Sequence, residues 1–370
     1  MKIAVIGYSK EPYYRVQVVG GMQLVERNQL RLLSQFGHQV HHITNSDSEL
    51  ADGVIQYKTV PSKFGGQDTL GVKRTRTRNE MVRALLENIQ PDVVISHDDP
   101  NNGLLKVLIE VGIPSITFIH SDVAQSGGPG IINYMKEINE YAHSGHIPVC
   151  VSTFSANNWA EQFKKSGKWL GNANGKWVFR YHCWPAILWE QPPLYPTVNE
   201  FVQVGRPDKF KNLHWAQDAV KNLRTFTTKP KNEAEGVIWA KLHGDVQTGA
   251  PRQELLSYVA QSKALIFSGM ESFGLGCVEA NSYGVPVIIV TKKDRHSGIE
   301  ACAGNAENYI LCNPKELKEL TDNWDSTKFN REAIQSNTWE AFNPNAAHNR
   351  LMAIINDAMK QRKSFTSFFS

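Results

Sequence analysis

Glu271-Ser-Phe-Gly-Leu-Gly-Cys-Val-Glu279 follows the apolar run Ala264-Leu-Ile-Phe-Ser268 and leads, through Ala280-Asn-Ser-Tyr-Gly284-Val-Pro286, into a second apolar run, Val287-Ile-Ile-Val290. Short, continuously apolar runs of this kind read as strands buried on both faces. Between them lie a glycine-rich turn, a short helix and a stop at Gly284. Strand, turn, helix and strand in that order make the repeating unit of a parallel sheet. The turn also has chemistry. A helix start presents unpaired N–H groups and partial positive charge, which suit a phosphate. Gly274 and Gly276 let a ligand come close to the backbone. Glu279 lies about one turn into the helix, and helical side chains lean back toward the N-terminus, so Glu271 and Glu279 face the same ligand. Carboxylates do not bind phosphate. They accept hydrogen bonds from hydroxyl groups, and a nucleotide sugar carries many of these beside its diphosphate.

The same alternation extends over the whole chain in two series. The first has expected strands at Lys2–Gly7, Gln39–Thr44, Val54–Lys58, Asp92–Ser96, Ser115–His120, Pro148–Ser152 and Trp177–Cys183, with helical stretches such as Met22–Phe36 and Arg78–Asn88 between them. A Pro-rich segment, Trp184 to Pro196, reads as a linker. The second series has strands at Asn199–Gly205, Val237–Leu242, Ala264–Ser268, Val287–Val290 and Tyr309–Cys312, and Ala346–Arg362 reads as a separate amphipathic helix. The expected fold is α/β, with two Rossmann-like, doubly wound parallel-sheet domains and a ligand cleft at the carboxyl ends of their strands. The expected boundaries are 1–190, 191–345, and a terminal helix at 346–370 packing back on the first domain. No GxGxxG follows the first strand, where Gly7-Tyr-Ser-Lys-Glu-Pro stands instead, so a nicotinamide dinucleotide site is disfavoured.

A second constellation follows the strand Val202-Gln-Val-Gly205. Arg206 and Lys211, in Arg206-Pro-Asp-Lys-Phe-Lys211, flank the turn into the next helix. A pyrophosphate there would meet a fork of Arg donors and a Lys point charge. Surface ion pairing is the ordinary fate of such residues, and the Glu271–Glu279 turn is what favours a site.

Together these motifs resemble the signature of the large retaining GT-B glycosyltransferases of bacteria and phages. The resemblance rests on Val204-Gly205-Arg206 with Lys211, the Glu271–Glu279 spacing with Phe273-Gly274-Leu275, and Gly284-Val-Pro286-Val. The N-terminal half adds Gly20-Gly21, Phe36-Gly37-His38, Gln90-Pro91-Asp92-Val-Val and Phe118-Ile-His120-Ser-Asp122. The resemblance implies that Arg206 and Lys211 hold the donor diphosphate. Phe273, Gly274 and Leu275 support it through backbone N–H groups. Glu271 binds donor-sugar hydroxyls and Glu279 the nucleotide ribose. His120 touches sugar or acceptor, with Asp122 or His120 open to a general-base role. Gly20 and Gly21, on the acceptor side, give close backbone access and complete the donor-binding set. It implies a UDP-sugar co-substrate, no obligatory cofactor, and no metal, because Arg and Lys supply the positive charge.

The acceptor is read from charge. Lys73-Arg74-Thr-Arg76-Thr-Arg78 is a dense basic run in the acceptor half, and Lys164, Lys165, Lys168, Lys176 and Arg180 interleave with Trp169, Trp177 and Phe179. Basic groups neutralise phosphates and aromatics stack on extruded bases, which suits duplex DNA. Gln191-Pro-Pro193 and the His120-Ser-Asp122 turn are locally similar to the α-glucosyltransferases that modify 5-hydroxymethylcytosine in T-even phage DNA. Other readings stay open. They are a cell-surface glycan or lipid-linked acceptor, an idle relative that binds nucleotide sugar or DNA without transfer, and a nucleotide-sugar epimerase of the same shape. The nucleotide base is expected near His243-Gly-Asp245-Val-Gln247.

Composition agrees with an ordinary globular chain of 370 residues, 41% apolar and 21% charged, with a net charge of +4. No run approaches the ~20 apolar residues of a membrane span. The five scattered cysteines form no CxxC or Cys/His spacing and read as reduced thiols, so a cytoplasmic location, that of the host if phage-encoded, is the expectation.

Overall fold

The computed structural model describes residues 1–7, 21–44, 52–59, 69–97, 103–120, 145–165, 181–185, 188–292 and 296–367, with the side chains at 69–76, 162–165 and 363–367 outside the description. Two compact units divide the chain, Met1–Pro185 with Ala347–Ser370, and Ala186–Ala346.

The first unit holds β1 (Lys2–Ile6), α1 (Gly21–Gln35), β2 (Gln39–Thr44), β3 (Val54–Lys58), α2 (Thr69–Ile89), β4 (Val93–Ser96), α3 (Leu104–Val111), β5 (Ser115–Ile119), β6 (His146–Cys150), α4 (Thr153–Lys165) and β7 (Tyr181–His182). Its sheet runs β3-β2-β1-β4-β5-β6-β7, with every pairing parallel. The strands are apolar runs because both faces are covered. Ala4, Ile6, Ile43 and Val94 pack against Val82 and Leu86 of α2 and Leu104 and Leu108 of α3.

The second unit holds β8 (Asn199–Val204), α5 (Leu213–Gln217), β9 (Leu223–Thr227), α6 (Glu233–Trp239), β10 (Asp245–Thr248), α7 (Arg252–Ala260), β11 (Ser262–Phe267), α8 (Leu275–Ser282), β12 (Val287–Val290), α9 (Ser297–Ala301), β13 (Tyr309–Cys312), α10 (Leu317–Asp322) and α11 (Arg331–Phe342). Its sheet runs β10-β9-β8-β11-β12-β13, again parallel throughout. Both sheets have the same winding. The chain moves outward on one side and then returns past its first strand. The switch point therefore lies between β1 and β4 in the first unit and between β8 and β11 in the second. Open parallel sheets bind ligands at the carboxyl ends of the strands flanking such a point.

One expected strand needs correction. Val237–Leu242 is not a strand. Val237–Trp239 closes α6, whose Asn232 cap accepts from the Glu235 N–H at 2.9 Å while the Glu235 carboxylate accepts from the Lys231 N–H at 2.8 Å. These two bonds fix the helix start and override the β-branched composition. The strands in this region are β9 and β10, whose polar residues masked them. Of the expected strand Trp177–Cys183, residues 177–180 lie outside the described residues, and Tyr181–His182 form a strand. The Pro-rich stretch holds the boundary between the two units, as a linker would, and from Leu188 onward it is tied to the second unit. Gln335 donates to the Pro192 carbonyl at 2.7 Å, Arg331 to the Tyr195 carbonyl at 2.7 Å, and the Leu188 N–H to the Phe342 carbonyl at 2.9 Å. Arg331 also donates to the carbonyls of Ala260 and Tyr283, which closes the ends of α7 and α8. Gly284 has φ 69° there, and a Cβ would lie 2.5 Å from the Arg331 carbonyl oxygen, so both conformation and space require glycine.

The last helix, α12 (Pro344–Ser367), belongs to the first unit from Ala347 onward. His348 stacks on Phe36 at 3.9 Å, Tyr181 donates to Asp357 at 3.0 Å, and the Arg350 guanidinium lies over Trp184.

Candidate active site

At the second unit's switch point, two loops are stitched into one platform. β8 ends at Val204 and passes through Gly205 into Arg206–Asn212, and β11 ends at Phe267 and passes through Ser268 and Gly269 toward α8. The buried Ser268 hydroxyl donates to the Lys211 carbonyl at 2.9 Å, the Asn212 amide donates to the Ser268 carbonyl at 3.3 Å, and the Met270 N–H donates to the Phe210 carbonyl at 2.7 Å. Asp208 shapes the first loop by accepting from the N–H groups of Phe210 at 2.9 Å and Lys211 at 3.2 Å. This is the local turn chemistry for which Asp is suited.

Lys211 is 8% exposed, and its ammonium makes an ion pair with Glu271. A buried lysine without a partner would be costly, so the pair holds both groups in one place. Gly269 makes this fit possible, because a Cβ there would stand 3.0 Å from Lys211 Cδ. Arg206 lies nearer the solvent, 3.2 Å from Asp208, with its side chain 54% exposed. α8 then starts from Gly274, which has φ 115°. Its ladder begins with the Cys277 N–H donating to the Gly274 carbonyl, so the N–H groups of Gly274, Leu275 and Gly276 precede the helical bonds. Glu279 sits on the exposed side of α8 and pairs with Arg252 at the start of α7.

The structure thus brings Lys211, Glu271, Gly274 and Leu275 together, with Arg206 at the rim. Phe273 is buried and packs edge-on against Phe342, so it contributes backbone only. Sequence reading missed four residues here: Asp208, Ser268, Arg252 and His296. His296 caps α9, its Nδ1 accepting from the Gly298 N–H at 3.1 Å, and lies edge-on to Phe267. Burial pushes its pKa down to about 4, opposed by a hydrogen bond with the Gly269 backbone and by the charge of Glu271. Histidine is not among the usual capping residues, so nothing in the sequence marked it.

His243 and Asp245 were expected near the nucleotide base. They lie instead at the start of β10 and line a cavity with Asn199, Leu223 and Tyr258, at the amino ends of the strands and away from the platform. The segment that reaches the carboxyl end is Thr248–Arg252.

The first unit's switch point is built differently. β1 runs into Gly7 and β4 into His97, whose N–H donates to the Ile6 carbonyl at 2.9 Å. Glu26 and Gln29 project from the buried face of α1. His42 Nε2 lies 2.7 Å from Glu26 Oε1. His97 Nε2 lies 2.5 Å from Gln29 Oε1, and His97 Nδ1 lies 2.9 Å from His120 Nε2. His97 also stacks on Phe118 at 5.1 Å. His120, just past β5, is the partly exposed member, and the other four side chains are buried. Burial pushes the His97 pKa down to about 4, and burial with the neighbouring His97 lowers that of His120 well below the usual value.

Gly21 is the exposed first residue of α1. Gly20 and Asp122 lie outside the described residues. The basic run needs correction in part. Arg78 is only 2% exposed, so its guanidinium is not a surface phosphate contact, while the side chains of Lys73, Arg74 and Arg76 lie outside the description, as do those of Lys164 through Arg180. All five cysteines are buried and none is in a disulfide. Among the described residues no group of three or more His, Cys, Asp or Glu is arranged to hold a metal, and no helix is long and apolar enough to cross a membrane.

Residues 19–168 match the family model Glycosyltransferase Family 4. No curated protein matches the sequence. Solved structures match at low identity over nearly the whole chain. A glycosyltransferase from Rickettsia africae is 13% identical with a TM-score of 0.66, covering 97% of this chain and 98% of its own. HepE from Anabaena, in complex with UDP and glucose, is 14% identical with a TM-score of 0.65, covering 96% and 99%. The lipopolysaccharide outer core galactosyltransferase WaaB is 16% identical with a TM-score of 0.62, covering 96% and 99%. The two parallel sheets, each with the same switch in strand order, are those of the GT-B glycosyltransferase fold.

Proposed function

We propose that the chain transfers a sugar from a UDP-sugar to a hydroxyl acceptor with retention of configuration. The observation that carries this reading is the ion pair of the buried Lys211 with the partly exposed Glu271, held beside the start of α8 at the second unit's switch point. A fixed ammonium, a helix start and a carboxylate at one spot match a diphosphate bonded to a polyhydroxylated sugar. HepE, with UDP and glucose bound, supports the choice of donor.

The chemistry follows from charge. The bond between the anomeric carbon and the diphosphate oxygen breaks, and its electron pair leaves with UDP. Lys211, Arg206 and the N–H groups at Phe273, Gly274 and Leu275 take up that charge, and donors preorganised in this way are worth roughly 3–4 kcal/mol each. The acceptor oxygen bonds to the carbon on the face the diphosphate leaves, and its proton passes to the departing phosphate. No enzyme nucleophile is needed. Glu271 positions donor-sugar hydroxyls, Glu279 accepts from the ribose, and His120 meets the sugar or the acceptor, with Asp122 a further candidate base.

For the acceptor we carry a 5-hydroxymethylpyrimidine in phage DNA, supported by the basic run Lys73, Arg74 and Arg76 and by the local likeness to the phage enzymes. A second reading, a glycan or lipid-linked acceptor, is favoured by the burial of Arg78 and by the likeness to WaaB, a lipopolysaccharide outer core galactosyltransferase. The test is transfer of labelled sugar from a UDP-sugar panel to hydroxymethylated DNA, unmodified DNA and a lipopolysaccharide core preparation. Label on modified DNA alone supports the first reading. Label on the core moves the acceptor to the second. No UDP release from any donor contradicts both.

A further inference from the structure

We infer that His97, backed by Gln29, is a positioning residue that fixes His120 in its Nε2–H form and so presents His120 Nδ1 as a hydrogen-bond acceptor for a substrate hydroxyl. This rests on the proposed sugar transfer for its purpose, though not for its geometry.

Gln29 Oε1 only accepts, so the proton between it and His97 resides on His97 Nε2, 2.5 Å away. His97 is buried and neutral at physiological pH, its pKa pushed down to about 4. A neutral imidazole carries one proton, so His97 Nδ1 holds a lone pair. The contact of 2.9 Å with His120 Nε2 is then a bond donated by His120. His120, also held neutral, has Nδ1 left as its basic atom.

Packing keeps the relay in this order. His97 stacks on Phe118 with 9° between planes and faces His120 at 26°, which leaves neither ring room to flip freely. Gln29 and Glu26 lie on one face of α1, three residues apart, and the Glu26–His42 pair fills the space directly under Gly7. Gly7 is glycine for that reason, because a Cβ would lie 2.2 Å from Glu26 Oε1 and 2.8 Å from His42 Nε2. A core needs no polar groups here, and each one is costly unless paired. Four buried polar side chains gathered at a switch point, ending in one partly exposed imidazole, fit a site better than a scaffold. A lone pair at His120 Nδ1 selects a hydroxyl or another N–H or O–H donor and does not bind an anion. A sugar or acceptor alcohol meets that requirement.

The test is nitrogen-15 NMR on the full chain labelled at histidine, with His120→Gln and His97→Gln used to assign the signals. The expected result is a protonated Nε2 and an unprotonated Nδ1 for His120 at neutral pH. The reverse tautomer, with the proton on Nδ1, overturns the inference, since it requires His97 to donate and Gln29 to present its amide nitrogen. Kinetics supply a second arm. His97→Leu should lower kcat about 10- to 100-fold, the usual scale for losing a supporting partner, with donor KM little changed. His97→Gln should recover most of the rate, because its amide oxygen accepts from His120 Nε2–H. Wild-type kcat in His97→Leu overturns the inference. Should that variant not fold, Gln29→Met, which removes the acceptor at the far end, should leave His120 as a mixture of tautomers, and an unchanged single tautomer there counts against the relay. The spectrum reads the same whether or not sugar is transferred, so a protein with the expected tautomer and no transferase activity refutes the proposed function and not the relay.

Discussion

The two switch points share one topology and hold opposite chemistry. Between β8 and β11 the second unit gathers full charges, with Lys211 against Glu271, Arg206 at the rim and Arg252 against Glu279. Between β1 and β4 the first unit gathers neutral imidazoles, with His97 between Gln29 and His120 and a buried Glu26–His42 pair behind them. The same backbone solution thus presents charge where a diphosphate would be held and hydrogen bonding where a hydroxyl would be aligned. Fold decides where a ligand goes, and the side chains just past the strand ends decide what it is.

The largest effect that would break this contrast comes from Lys211. Lys211→Ala removes the fixed cation and should lower turnover by two or more decades, roughly the loss of one preorganised charge-stabilising group, with circular dichroism unchanged. UDP release measures it, and near-normal turnover would remove the charged site from the account.

Acid should separate the units next. His97, His146 and, in the second unit, His296 have pKa values pushed down by burial to about 4, about 3 and about 4. His38, His41, His120 and His348, all in the first unit, are also lowered by burial. A histidine depressed in the folded state stays neutral while its unfolded counterpart takes a proton. Stability is therefore full above the unfolded value near 6.5 and falls as pH drops from there toward the folded value. For His97, His146 and His296 this costs about 1.4 kcal/mol per pH unit between the unfolded and folded values. Calorimetric scans between about pH 7 and pH 4 should show the first unit's transition falling sooner and further. Equal slopes for the two units would contradict the assignment.

Glycines just past β1 and β8 sharpen the comparison on a smaller scale. Gly7→Ala drives a methyl into Glu26 and His42 and should destabilise the first unit by about 1–3 kcal/mol, the cost of overpacking a filled site. Gly205→Ala meets only the Leu213 methyl at 3.2 Å and the Lys211 stem at 3.6 Å, and should cost less than about 1 kcal/mol. Urea unfolding of the pair reads both. Arg252→Ala should matter least for stability, by about 0.5 kcal/mol or less, because its pair with Glu279 is largely solvent-screened. A thermal midpoint more than a few degrees lower would show the pair to be structural.

The charged site was largely legible in the sequence because it is local. Arg206 with Lys211 and Glu271 with Glu279 each sit within one strand-to-helix turn, and buried strands advertise themselves as continuous apolar runs. Edge elements were not legible. β9 and β10 carry Arg, Thr, Asp and Gln, while the apolar Val237-Ile-Trp239 belongs to a helix set by the Asn232–Glu235 cap. The histidine site was also illegible, apart from His120. Gln29, His42, His97 and Glu26 come from three separate elements, and each looks like an ordinary polar residue until strand order gathers them at the switch point between β1 and β4.

The central claim is that the second unit's switch point binds the diphosphate of a uridine nucleotide. Calorimetric titration of UDP into the full chain tests it most directly. The account predicts saturable binding to the wild type, at least about tenfold weaker in Arg206→Ala and weaker still in Lys211→Ala, as expected for the loss of charge-assisted contacts. No binding by the wild type, or equal affinity in all three proteins, would contradict it.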